Sequence, residues 1–297
     1  MIFSLLTFLS WGTADLFYKK GNISKENYND IKTGIIVGLV MGLHATIYLF
    51  AKKVSINFTD IIRYLPVSFC YILSMVIGYK GLKYIELSIA SPVQNTSGVI
   101  TSLLLLLFFR EILPWQAYIA FALVFFSIFY ICMLERKEDL DERKFDMRLK
   151  QSKKVKILAI VLPIIYCLVD GLGTFLDAIY LDKLELISED TALVAYEFTF
   201  FIFAIGAMIW LHHKGDRLAI KKQKDKIFAA CFETIGQFFY VFAMAGNSTI
   251  SASIVGSYCI LSMILSRIFL KEKLSLQKYI AIIVAIIGII ILLILDV

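Results

Sequence analysis

Residues 108–120 read FFREILPWQAYIA, and residues 269–281 read FLKEKLSLQKYIA. The two stretches lie 161 positions apart and share, in register, a glutamate, a glutamine and the final Tyr-Ile-Ala. The same shift places the Gly-Thr pair at 12–13 on the Gly-Thr pair at 173–174. Scattered Leu and Ile identities are common between apolar helices, but a charged junction in register is not. The repeat therefore indicates a chain built from two related halves.

The composition around this repeat is that of a membrane protein. Of 297 residues, 59% are hydrophobic and 18% are charged, and the mean hydropathy is +0.79, whereas soluble domains are roughly half apolar and a quarter charged. Each bilayer crossing needs roughly 20 mostly apolar residues. Ten apolar segments fit this length: 2–18, 33–51, 64–80, 87–109, 114–134, 157–181, 191–211, 227–246, 249–269 and 276–295.

These segments predict an all-α integral membrane protein with ten transmembrane helices in two inverted five-helix repeats. We expect one repeat at 1–135, a charged cytoplasmic linker at 136–156 and the second repeat at 157–297. The linker and the basic run 212–226 are predicted to be solvated loops. Because five is odd, the second half enters the membrane in the opposite orientation. Such repeats place a solute site near the bilayer midplane, between halves that rock against each other.

The distribution of basic residues predicts the orientation. Loops after the odd-numbered helices, with the adjoining helix ends, carry all but five of the thirty Lys and Arg. The exceptions are Lys52, Lys53, Arg63, Arg110 and Lys183. Because basic residues in short loops stay on the cytoplasmic side, we expect a multi-pass protein of the bacterial plasma membrane with loop 135–156 in the cytoplasm and both termini outside. The net charge of +6 then follows from topology, and no nucleic-acid partner is expected.

Several short motifs resemble those of a known family. They are Trp11-Gly12 in the first helix, LSIASP at 87–92, and Glu111 with its repeat counterpart Glu272. In their order and spacing the chain resembles a ten-helix, EamA-like member of the drug/metabolite transporter superfamily over essentially its whole length. The resemblance implies a secondary transporter of small metabolites, often an exporter, that works without ATP. It also implies cytoplasmic termini. The distribution of basic residues predicts the opposite orientation, and we follow that prediction.

Ionisable groups inside apolar helices are functional candidates, because a charge deep in lipid costs several kcal/mol. Two segments carry polar side chains at i, i+4 and i+7, the spacing of one helix face. These are Asp170, Thr174 and Asp177 in the sixth and Glu233, Gln237 and Tyr240 in the eighth. Two such stripes predict a shared, water-accessible cavity for substrate binding or proton coupling.

Further candidates for this site lie in the first, fourth and ninth segments. They are Trp11, Asp15, Gln94, Asn95 and Ser257. A structural explanation stands beside the functional one, because small and hydroxyl residues also pack membrane helices together, and Asp15 is one helical turn from Lys19.

Two features of the second segment are predicted to be structural. Gly34, Gly38 and Gly42 form a ladder of small residues typical of close helix packing. His44 stands alone on an apolar helix, where a packed histidine is more common than a proton relay.

Motifs of other functional classes are missing from the sequence. It has no HExxH, GxSxG or GxxxxGK[ST], so neither an enzyme nor an ATP-driven pump is indicated. The five cysteines lie in apolar stretches without CxxC or histidine at metal-ligand spacing. We therefore expect no catalytic residues, no metal and no cofactor.

The buried carboxylates suggest a mechanism, because a carboxylate held out of water binds a proton more readily. The prediction is a secondary active transporter of a small polar metabolite, with a cationic or zwitterionic solute favoured, working by proton-coupled export with alternating access. The alternatives are a uniporter or exchanger of nucleoside or sugar derivatives, and a non-transporting membrane receptor or scaffold. The expected partners are a small-molecule solute and membrane lipid, and the expected assembly is a monomer or homodimer.

Overall fold

The structure is a computed structural model that describes residues 2–22, 26–81, 97–98, 101–102, 104–110, 113–145, 153–270 and 274–295. All regular secondary structure in these ranges is helical. The first half contains α1 (Ile2–Asn22), α2 (Asn29–Lys52), α3 (Phe58–Gly81), α4 (the helical residues 97–98, 101–102 and 104–109) and α5 (Trp115–Phe145). The second contains α6 (Lys153–Ala178) with a π-turn at Ile179–Lys183, α7 (Glu189–His213), a 3₁₀ turn at Ile220–Lys222, α8 (Lys224–Val255), α9 (Tyr258–Phe269) and α10 (Leu276–Leu295).

Several of these helices can cross a bilayer. Within the described ranges, six are long and apolar enough, in α2, α3, α6, α7, α8 and α10, and shorter apolar helices occur at Trp115–Ile131 and Tyr258–Phe269. Many large apolar side chains are exposed on the outside of the bundle, among them Leu43, Phe50 and Ile268. An exposed apolar surface of this kind suits contact with lipid chains.

The charged stretch 135–156 differs from its prediction as a loop. α5 continues to Phe145 and α6 begins at Lys153. Residues 135–145 are rich in Glu, Lys and Arg, which favour helix, and Asp139 and Arg143 stand at the i,i+4 spacing of helix-stabilising charge pairs. The apolar pattern ends at 134 because the helix leaves the lipid there, and the helix itself goes on.

The ninth crossing also differs, because the continuous segment predicted at 249–269 is interrupted. Asn247 has non-helical φ −156° and ψ 90°, so the eighth crossing ends there and the ninth begins at Ser248. Asp182 caps this start by accepting hydrogen bonds from the Ser248 amide at 3.0 Å and hydroxyl at 2.5 Å. A turn at 256–257 then divides the ninth crossing into two short helices.

This turn lies where α4 and the ninth crossing touch through glycines. A Cβ added at Gly98 would lie 2.3 Å from the Ala252 carbonyl oxygen, and one added at Gly256 would lie 2.8 Å from the Gly98 Cα. No side chain fits between these backbones. The contact therefore requires glycine at both positions and joins the two halves.

The helix packing has the symmetry of a repeat. α1 packs on α8 as α6 packs on α3, and α2 packs on α8 as α7 packs on α3. The pairs α2–α7 and α5–α10 map onto themselves when the halves are exchanged. A pseudo-twofold relation between the halves explains this pattern.

The α2–α7 pair is closed along its length by the glycine ladder. A Cβ added at Gly38 would lie 2.3 Å from the Phe200 carbonyl oxygen, and one added at Gly42 would lie 2.3 Å from the Phe201 ring. At the end that carries the basic loops, Lys32 donates a hydrogen bond to Asp216 at 3.2 Å. Close backbone packing and the Lys32–Asp216 hydrogen bond thus hold the halves together along this pair.

Candidate solute cavity

A cavity of about 120 Å³ lies between the two halves. This volume is room for several water molecules or for a small solute. Three carboxylates line it, Asp15, Asp170 and Glu233, together with the hydroxyls of Ser97 and Thr174 and the aromatic side chains of Trp11, Tyr18, Tyr71, Tyr166, Tyr196, Tyr240 and Tyr258. The carboxylates come from α1, α6 and α8, so both halves contribute charge to one hollow.

Asp170 is the most firmly positioned of the three. Ser97 of α4 donates to its Oδ2 at 2.7 Å, and Ser74 of α3 donates to its Oδ1 at 3.2 Å. Both oxygens are therefore hydrogen-bonded by hydroxyls of the first half while Asp170 itself belongs to the second. These bonds fix the carboxylate at the boundary between the halves.

Asp15 is held by the ninth crossing, where Ser262 donates a hydrogen bond to it. One turn further along α1, Lys19 donates to Ser266 at 3.1 Å. Asp15 lines the cavity, so it contributes to the charge of the cavity as well as to the packing of α1 on α9.

Glu233 is placed differently. Within the described chain its carboxylate has no hydrogen-bonding partner, and it lies near enough to Asp15 and Asp170 to be repelled by both. Trp11 donates to the backbone carbonyl of Glu233 at 3.2 Å, which fixes the helix and leaves the carboxylate free. Three acidic groups in poorly hydrated surroundings repel strongly, so this site favours protons or a cation.

Aromatic rings form the apolar part of the lining. The Trp11 ring lies 5.0 Å from that of Tyr240 and 5.9 Å from that of Tyr258. Aromatic faces near carboxylates attract cations and also cover the methylenes of an organic solute.

A layer of buried tyrosines closes the cavity on the side away from the basic loops. This tyrosine layer consists of Tyr64, Tyr71, Tyr196 and Tyr240. The hydroxyls of Tyr71 and Tyr240 are 2.7 Å apart, and Tyr71 donates to Thr174 at 3.0 Å. Tyr64 donates to Asp177, which is fully buried. On the other side the cavity extends to Tyr18 and Gly78, about one turn from the helix ends at the basic loops.

A second polar cluster lies between α2 and α7. His44 Nδ1 lies 2.9 and 2.8 Å from the two oxygens of Glu197, which is fully buried. One turn along α2, Tyr48 donates to Asp190 at 2.5 Å. His44 is therefore not alone, because Glu197 faces it from a helix distant in sequence. Its structural role stays a prediction.

The comparison with protein families bears on the whole chain. The model of the EamA-like transporter family matches residues 1–133 and again 157–294. The chain belongs to the EamA-like transporter family. It is accordingly a multi-pass membrane transport protein for small molecules and not an enzyme, and the predicted family and the two-repeat helical fold are confirmed.

Other comparisons add the fold alone. One solved crystal structure superposes on this EamA-like transporter with a TM-score of 0.70 at 10% sequence identity, and the match covers 99% of this chain and 97% of that chain. No curated protein matches the sequence.

The structure brings most of the predicted site residues of this transporter together. Those that line the cavity are Trp11, Asp15, Asp170, Thr174, Glu233 and Tyr240. Gln94 and Asn95, like the junction residues Glu111 and Glu272, lie outside the described residues.

Three predicted site residues do not line the cavity. Asp177 lies beyond the tyrosine layer, bonded to Tyr64. Gln237 is 1% exposed and does not line the cavity, although Glu233 and Tyr240 on either side of it in α8 do. Ser257 donates to the Ile254 carbonyl at 2.6 Å, which satisfies its hydroxyl within the turn at 256–257.

The contribution of α3 was missed. Tyr64, Tyr71 and Ser74 recur at helical spacing, so they share a face of α3. This stripe is detectable in the sequence. Hydroxyl side chains cost less than carboxylates to bury in a membrane helix, so they indicate a functional site less strongly.

Proposed function

We propose that this transporter exports a small cationic or zwitterionic solute in exchange for protons, by alternating access. The observation that carries the proposal is the cavity between the halves, lined by Asp15, Asp170 and Glu233. Carboxylates inside a membrane protein are costly and mark solute pathways or proton relays. Here they face a hollow and one another.

Proton coupling follows from the mutual repulsion of these groups. Three negative charges in a medium of low dielectric constant are stable only when protons or cations neutralise them. A cationic solute and protons therefore compete for the same carboxylates. Competition at one site is the physical basis of antiport, since each bound species displaces the other.

Alternating access is supported by the arrangement around the cavity. The halves are related by pseudo-twofold symmetry, and inverted repeats of this kind expose a central site to each side in turn. The tyrosine layer covers the cavity on one side. If the basic loops are cytoplasmic, as predicted, the side of the cavity opposite the tyrosine layer faces the cytoplasm, where an exported solute is loaded.

The solute class can be found by ligand-induced stabilisation of the purified protein. Panels of amines, amino acids, nucleosides and sugar derivatives should be screened by thermal shift at an acidic and at a neutral pH. We expect stabilisation by amines or amino acids that is greater at the neutral pH, where fewer protons compete.

Transport is then measured in proteoliposomes with an imposed proton gradient. We expect proton-driven uptake of the stabilising solute, lost in Asp170→Asn and in Glu233→Gln. Asp225→Asn is the matched control, because Asp225 is an exposed carboxylate on the same helix as Glu233. Full proton-driven transport in both cavity variants would contradict the proposal.

A further inference from the structure

We propose that the solute is a small organic dication, an aliphatic diamine whose two ammonium groups are separated by a short methylene chain. The inference rests on the proposed function, whose site it specifies. It starts from the charge of the cavity: three carboxylates line it, and no Lys, Arg or His does among the described lining residues. The described lining offers no basic side chain to the carboxylate that a zwitterionic solute would bring into this negative field, so a purely cationic solute fits better.

The three carboxylates also do not converge on a single point. Nowhere in the described residues do three His, Cys, Asp or Glu converge as a metal ion requires. Asp170 is held by Ser74 and Ser97 on one side of the hollow, and Asp15 is held by Ser262 of the ninth crossing. Charges that are held separately around one cavity match a ligand whose own charges are separated.

The surface between the carboxylates is aromatic. Trp11 packs at 5.0 Å on Tyr240 and at 5.9 Å on Tyr258, and all three line the cavity. Rings accept both methylenes, by apolar contact, and ammonium groups, by cation–π attraction. A methylene chain is thus covered by the rings while its ends reach carboxylates. Because these carboxylates line one cavity, the chain between the two ammonium groups is a short one.

Glu233 and Asp170 take distinct roles in this arrangement. Asp170, with both oxygens already hydrogen-bonded, anchors one ammonium group. Glu233, which has no hydrogen-bonding partner in the described part of the chain, receives the second with Asp15 nearby. The exchange is balanced when one dication enters and two protons leave, because the charge of the cavity is then the same before and after.

Three probes with the same four-carbon chain distinguish a site for a dication from a site for a monocation or a zwitterion. They are α,ω-diaminobutane, n-butylamine and γ-aminobutyrate. They carry two positive charges, one positive charge, and one charge of each sign. Each is added to the purified full chain in a thermal-shift titration and then used in proteoliposomes under a proton gradient. We expect half-maximal stabilisation by the diamine at a concentration about tenfold lower than by the monoamine, the factor that one further modest ionic contact provides, and none by γ-aminobutyrate.

Glu233→Gln gives a second readout. It should bring the ratio of diamine to monoamine affinity close to one, while Asp225→Asn keeps the wild-type ratio. The comparison of the three probes on the wild-type chain remains decisive if the Glu233 variant does not fold.

The outcomes distinguish this inference from the proposed function. If n-butylamine or γ-aminobutyrate matches the diamine, the dication is wrong and proton-coupled transport of a cation or zwitterion stands. If none of the three binds and another cationic or zwitterionic solute drives proton exchange, the dication is again wrong alone. If no solute is exchanged for protons, both proposals fail.

Discussion

Two glutamates on neighbouring helices behave in opposite ways. Glu197 of α7 is fully buried and has both oxygens against His44. Glu233 of α8 faces the cavity, and among the described residues its carboxylate finds no hydrogen-bonding partner. The same residue type thus holds helices together in one place and leaves an unsatisfied charge in another. The partner, more than the residue type, distinguishes the structural contact of Glu197 from the proposed functional role of Glu233.

The surroundings of the two glutamates differ in the same sense. The α2–α7 pair around Glu197 is closed by Gly38 and Gly42, against which backbone and rings pack directly. Around Glu233 the helices leave a hollow lined by repelling acids. The halves are therefore joined tightly along one helix pair and are separated by a polar cavity elsewhere, which suits the proposed alternating access.

The largest effect is expected from breaking the pair at Glu197. His44→Ala leaves a fully buried carboxylate without its partner, which costs about 3 kcal/mol, so the thermal midpoint of the purified protein should fall clearly. His212→Ala, at an exposed histidine on α7, should leave the midpoint unchanged. Glu233→Gln should keep or raise it, because that change removes repulsion. A loss of stability in Glu233→Gln as large as that in His44→Ala would abolish the distinction between the two glutamates.

The next largest effect is expected at the contact of Gly38 with α7. Gly38→Ala puts a Cβ 2.3 Å from the Phe200 carbonyl oxygen, so α2 and α7 must separate, at a cost of about 2 kcal/mol typical of overpacking. The matched control is Gly206→Ala on α7, where a Cβ meets nothing within 4 Å. Unfolding of both variants by a titrated denaturing detergent provides the measurement, and equal stabilities would show that the contact is not tight.

A smaller effect is expected at the tyrosine layer. Tyr64→Phe removes the hydroxyl that donates to buried Asp177, at a cost of about 1–2 kcal/mol for an unsatisfied buried acceptor. It should also loosen the closed side, so that a cysteine placed at buried Leu181, one turn beyond Asp177, reacts faster with a thiol reagent added on that side. Tyr130→Phe, at an exposed tyrosine of α5, serves as the control, and equal labelling rates in the two backgrounds would remove the closing role of Tyr64.

The smallest effect on stability is expected from the Lys32–Asp216 hydrogen bond at the basic loops. The hydrogen bond from Lys32 lowers the pKa of the Asp216 carboxyl below its ordinary value. A lowered pKa in the folded state means that this hydrogen bond stabilises the protein above the unfolded-state pKa. The stabilisation is lost as the pH falls through the folded-state pKa. Asp216→Asn should therefore be slightly less stable than wild type at neutral pH and equal to it in acid. A difference that grows in acid would contradict this.

Much of the fold could be predicted from the sequence, because lipid imposes a strong pattern. The repeat at 108–120 and 269–281 and the ten apolar segments already indicate two five-helix halves. The helical stretch 135–145 was missed because the prediction followed hydropathy, which ends where the helix leaves the lipid. The interruption at 256–257 was missed because it accompanies the close approach of Gly98, a contact between distant segments.

The site was predictable only in part, for a similar reason. Helical spacing places Asp170 and Thr174 on one face, and both line the cavity. Spacing says nothing about depth along the face, so Asp177 was grouped with them although the tyrosine layer separates it from the cavity. The pairing of His44 with Glu197 joins residues 153 positions apart, and no local pattern predicts such a contact.

The most direct test of the central claim is proton release on ligand binding. α,ω-Diaminobutane is added to the purified protein in weakly buffered detergent solution while the pH is recorded. We predict release of protons that saturates with binding, falls in Asp170→Asn and Glu233→Gln, and persists in Asp225→Asn. Binding of the diamine without proton release, or equal release from all four proteins, would contradict the exchange of protons for a cation at these carboxylates.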